Sequence, residues 1–141
     1  MSPIAAAEAF ERAPLLAERV GEGDVETVIA RARALLDAMT DAERVAVLNA
    51  HPRIGATAGL SARSAAEQGG ATDPETLRAL DMLNAEYERT FGFRFVVFVA
   101  GRSRAEIVPV LQTRLRRTRR EELEAGLEEF LAIARDRLTR G

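Results

Sequence analysis

The chain of 141 residues contains no cysteine, no lysine and no tryptophan, and it has one histidine. Each absence removes a chemistry. Without cysteine there is no thiolate nucleophile, no thiolate metal site and no disulfide framework. Without lysine there is no Schiff base and no phosphate-loop lysine. A lone histidine cannot build a multi-histidine zinc centre. No apolar run approaches the ~20 residues that span a bilayer. The opening residues lack the basic-then-apolar pattern of a secretory signal, so a cytoplasmic protein without a membrane partner is expected. What remains is one imidazole that titrates near neutral pH, in the company of carboxylates, amides, hydroxyls and arginines.

The net charge is -2, too balanced to argue for a nucleic-acid partner. The length suits one domain, residues 1–141, with a single core. Its pattern is helical nearly throughout. Asp24 can cap a helix whose apolar residues Val25, Val28, Ile29, Ala32, Leu35, Leu36 and Met39 share a face. Thr40 with Glu43, and Thr118 with Glu121, have capping-box spacing. Asp73-Pro74-Glu75 opens a helix, and Gly92 is placed to end it. Ser103 and Glu106 open another, in which Pro109 must lie early or bend the axis. One or two short helices, broken at Pro14, fill the first twenty residues. The expectation is an all-α bundle of about seven or eight helices.

Two segments break the rhythm. His51 to Thr72 is rich in Gly, Ala and Ser, with a short helical stretch near Ser64–Gln68. A loop of this length in a compact domain often carries function. Residues 93–99, Phe-Arg-Phe-Val-Val-Phe-Val, read as extended, with no second strand to pair with. Their backbone groups must find side chains, helix ends, water or a ligand.

Four constellations can carry chemistry or plain structure. His51, held extended by Pro52, can be an acid–base group or the cation at the end of the preceding helix. Ser64, Glu67 and Gln68 share one helix face and offer a hydroxyl, a carboxylate and an amide, yet Ser-x-x-Glu is also a capping box. The arginines at 114, 116, 117, 119 and 120 precede Glu121, Glu122, Glu124, Glu128 and Glu129. That pattern reads as a solvated helix face with local ion pairs, against a nucleic-acid patch. Arg94 can hold a carboxylate in a bidentate grip or point to solvent.

Four short motifs occur in order: His51-Pro52-Arg53-Ile54-Gly55, Ser64-Ala65-Ala66-Glu67-Gln68, Leu83-Asn84-Ala85-Glu86-Tyr87 and Phe91-Gly92-Phe93-Arg94-Phe95. Each is weak alone. In this order and spacing, from about Val45 to Val99, they resemble the family of 2-oxo-4-hydroxy-4-carboxy-5-ureidoimidazoline (OHCU) decarboxylases, which complete the conversion of urate to S-allantoin. The resemblance implies an all-helical, commonly homodimeric lyase of purine breakdown that uses no metal and no cofactor. It implies His51 as the acid–base residue, with Glu67 also catalytic. Pro52 would lie against the substrate, and Ser64, Ala65, Ala66, Glu67 and Gln68 would bind its ureido and ring groups. Phe95, Val96, Val97, Phe98 and Val99 would line the pocket. The sequence departs from the family pattern at Arg94, where many members carry proline. The rival expectation is a non-catalytic or paralogous helical module that binds a related ureido ligand.

Overall fold

The computed structural model describes residues 20–21, 23–55 and 73–140. They form five α-helices: α1 (Val25–Ala38), α2 (Asp41–Asn49), α3 (Pro74–Phe91), α4 (Arg104–Arg114) and α5 (Arg119–Arg140). No strand occurs among the described residues. The class is therefore all-α, as the periodicity predicts. The count of seven or eight is not met, because the helices expected at the N-terminus and near Ser64–Gln68 lie outside the described residues.

The helix starts follow local hydrogen-bond chemistry. Asp24 accepts the Thr27 N–H at 2.8 Å, and Asp73 accepts that of Thr76 at 2.9 Å. Thr40 and Glu43 close a reciprocal capping box at 3.2 and 2.9 Å. Thr118 and Glu121 repeat it at the head of α5, at 3.2 and 3.0 Å. Each cap meets amide groups that a helix cannot satisfy internally. Pro109 sits in the second turn of α4, where it removes one rung of the ladder.

Helix α5 is the spine. Its 22 residues extend about 33 Å, and α1, α2 and α3 all pack on it. Leu123, Leu127, Phe130, Leu131 and Ala134 meet Val28, Ile29, Ala32 and Leu36 from α1 and Leu48 from α2 in one apolar core. The approach of α2 to α5 depends on Gly126. A Cβ there would stand 3.1 Å from Cδ1 of Leu48, which is fully buried.

The arginine-rich stretch does not behave as one solvated face. Arg120 does pair along the helix with Glu124, in the open. Arg114 and Glu122, in contrast, turn inward. Glu122 is fully buried and accepts both Nε of Arg114 and the hydroxyl of Tyr87, each at 2.7 Å. Burial, followed by the hydrogen bond to Glu122, pushes the Tyr87 hydroxyl well above the ordinary tyrosine range. Arg119 crosses to Asp41 on α2, and Arg33 crosses to Glu128. These pairs join helices distant in sequence, which a local reading of charge spacing does not show.

The candidate active site

Residues 94–99 link α3 to α4 without regular secondary structure. No strand among the described residues pairs with them, and side chains meet several of their backbone groups. Asn49 Oδ1 accepts the Arg94 N–H at 2.9 Å, and Glu129 accepts that of Phe98 at 3.3 Å. Arg114 donates Nη1 to the Val96 carbonyl at 2.8 Å. Arg102 donates to the carbonyls of Phe98 and Val99 at 2.7 and 2.9 Å. Alternation turns Phe93 and Phe95 to the same side, where both rings meet Tyr87 at centroid distances of 6.0 and 5.3 Å. The Arg114 guanidinium lies 4.6 Å above the Phe95 ring.

The segment from His51 to Gly55 is pinned from α3. Asn84, itself buried, donates to the Ile54 carbonyl at 3.0 Å. Arg53 grips Glu88 through two bonds of 2.7 and 2.8 Å. Gly55 turns the chain at φ 89°, where a Cβ would also press on Leu80. Two of the motifs, His-Pro-Arg-Ile-Gly and Leu-Asn-x-x-Tyr, are thus brought together.

His51 follows directly after the C-cap Ala50 of α2. Its ring is turned inward, 8% exposed, and stands edge-on to Phe130 with centroids 5.3 Å apart. The helix-end cation is Arg94, whose Nη1 donates to the Asn49 carbonyl at 3.0 Å and to the His51 carbonyl at 2.9 Å. These bonds hold one end of the guanidinium of a half-buried side chain, so Arg94 does not simply point to solvent.

One small cavity, about 40 Å³, collects the candidate residues. His51, Pro52, Phe95, Val96, Val97, Phe98 and Val99 all line it, so the imidazole and the whole extended wall face the same space. Ser64, Ala65, Ala66, Glu67 and Gln68 lie outside the described residues. Two lining residues, Ile133 and Arg137, lie outside the motifs, and a third, Ile54, lies within the first motif without a role assigned to it. Arg137 is 1% exposed and lines the cavity. Its signal was present in the sequence. It lies seven residues, close to two helical turns, beyond Phe130, and therefore on the buried stripe of α5.

The described residues form an all-helical fold in which a small cavity brings a histidine and a buried arginine against an apolar wall. The chain belongs to the OHCU decarboxylase family, whose model matches residues 4–139. It is 30% identical over 139 residues to a 2-oxo-4-hydroxy-4-carboxy-5-ureidoimidazoline decarboxylase of Haloferax volcanii, covering 93% of this chain and 83% of that one. A putative human decarboxylase of the same name is 32% identical, with 92% and 82% covered. A uric acid degradation bifunctional protein of Bacillus sp. is 31% identical over 108 residues, but the match spans only 22% of its length. Among solved structures, OHCU decarboxylase in the presence of (S)-allantoin superimposes with a TM-score of 0.77 at 23% identity, covering 95% of this chain and 94% of that one. An (S)-allantoin synthase matches with a TM-score of 0.72 at 20% identity, covering 96% and 47%. These two likenesses speak for the fold.

Proposed function

We propose that the protein decarboxylates 2-oxo-4-hydroxy-4-carboxy-5-ureidoimidazoline to S-allantoin, with His51 handling the proton. The observation that carries this reading is the shared cavity of His51, Pro52, Arg137 and the wall Phe95–Val99. Family membership and the relatives named for this reaction support it.

The chemistry asks little of the protein. The carboxylate leaves from a carbon next to a C=N bond. As the carbon–carboxylate bond breaks, its electron pair flows toward that C=N, so the substrate carries its own electron sink. The ureido-bearing carbon then takes a proton, and the face it arrives on sets the configuration of the product. The protein's tasks are to hold the ring, exclude water and deliver that proton. A buried imidazole at the cavity suits the last task. Arg137 lines the cavity in a desolvated place, where a charge-assisted bond to a carboxylate is strong. A space of about 40 Å³ takes the carboxylate end of such a substrate rather than the whole molecule. Ser64–Gln68, with Glu67 as a second catalytic group, complete the reading by binding the ureido and ring groups. A homodimer in the cytoplasm, with no cofactor, belongs to the same proposal. Among the described residues no helix is long and apolar enough to cross a membrane.

The test is polarimetric. Freshly generated urate-oxidation product is mixed with the protein, and the appearance of optically active allantoin is followed. The wild type should speed it, and His51→Asn should lose about 10²- to 10⁴-fold in turnover while melting like the wild type. An equal stereospecific rate in the variant removes His51 from the reaction. No acceleration by the wild type removes the function.

A further inference from the structure

The end of α2 and the start of the extended wall are tied by one reciprocal pair. Asn49 Oδ1 accepts the Arg94 backbone N–H at 2.9 Å, and the Arg94 side chain returns to the Asn49 carbonyl at 3.0 Å. The same Nη1 reaches the His51 carbonyl at 2.9 Å. On the other side of His51, its N–H donates to the Leu48 carbonyl at 3.1 Å, inside the last turn of α2. Both peptide groups of His51 are therefore fixed, one by the helix and one by Arg94. Pro52 restricts the remaining backbone freedom.

We infer that Arg94 is a positioning residue. It holds the peptide of His51 so that the imidazole points into the cavity, and it locks that residue to the wall opposite. Substrate contact is no part of this role: Nη1 is taken by the two carbonyls, and Arg94 is not among the residues that line the cavity. The catalytic part of the inference rests on the proposed role of His51. The geometric part does not.

The lone histidine makes the geometry directly observable, since every imidazole resonance in an NMR spectrum belongs to His51. The Phe130 ring, edge-on at 5.3 Å, displaces those resonances by its ring current. In Arg94→Ala they should move toward the values of an unstructured histidine or broaden. Turnover should fall roughly ten- to a hundredfold, with KM within about threefold of the wild type, because a displaced group costs rate rather than affinity. Arg94→Lys, which keeps a cation but one donor head in place of the fork, should recover part of both readouts. Unchanged imidazole resonances and unchanged kcat in a folded Arg94→Ala overturn the inference. So does a raised KM with intact kcat, which would make Arg94 a substrate clamp. If the wild type itself fails to form allantoin, the proposed function falls, and the resonances alone decide whether Arg94 positions His51.

Discussion

Replacing Arg114 by methionine should be among the most destabilising single changes in the chain, and its cost can be worked from the contacts. The side chain fits the space, so the loss is polar. Glu122, fully buried, would keep the Tyr87 hydroxyl at 2.7 Å and the half-exposed Arg117 at 3.5 Å, but would lose its closest cation. Removing one partner of a buried ion pair costs about 3–5 kcal/mol. The Val96 carbonyl would also lose its donor, and an unsatisfied buried acceptor adds roughly 1 kcal/mol or more. At roughly 3 °C per kcal/mol for a domain of this size, the melting temperature should drop by about 12–18 °C. The partner change tests the cause. Arg114→Met with Glu122→Leu removes the uncompensated charge and should win back at least half of the loss, and adding Tyr87→Phe removes the orphaned hydroxyl and should win back more. Urea denaturation of the three variants, with calorimetry alongside, gives the order. A single variant that loses under about 1 kcal/mol, or a double variant less stable than the single, refutes the reasoning.

Arg137→Met should raise KM for the ureidoimidazoline by about tenfold or more, read from initial rates over a substrate series. Gly126→Val should destabilise by about 1–3 kcal/mol in urea, because the new methyls meet the buried Leu48. Acid should weaken the fold through its caps. Thr27, Thr76 and Thr118 amides hold Asp24, Asp73 and Glu121 below their ordinary values of 3.8 and 4.5, and the Arg119 hydrogen bond does the same for Asp41. A depressed folded value means that the stabilisation is full above the ordinary value and is lost as pH falls through the depressed one. Melting temperature should therefore hold steady down to about pH 4.5 and decline below it, and Asp24→Asn should flatten part of that decline.

The helix boundaries were readable because caps act over three or four residues. Asp24, Thr40, Asp73, Ser103 and Thr118 open helices where their side chains suggested. The extended run was readable from its aromatic and β-branched residues, and its lack of a partner strand correctly implied side-chain bonding. Its partners were not readable, since Arg114 and Glu129 stand 18 and 31 residues from the groups they bond. The inward turn of Arg114 and Glu122 was hidden for the same reason: a local window shows mixed charge and cannot show Tyr87, 35 residues from Glu122. The acceptors of Arg94, carbonyls at the end of α2 that stand 45 and 43 residues away, were beyond a local window. Arg137 interrupts an otherwise apolar stripe, and that interruption was the sign of its place at the cavity. The Ser64–Gln68 motif stays a proposal resting on the family resemblance.

Helix α5 does two jobs with one surface. Phe130, Leu131 and Ala134 hold the core together, while Ile133 and Arg137, interleaved with them, floor the cavity. Loosening one set therefore shifts the other by the same rigid rotation. Among the described residues, site and core thus share one helix. On slow heating, turnover and helical ellipticity should vanish along a common curve, so that the reaction rate itself reports how much of the population is still folded.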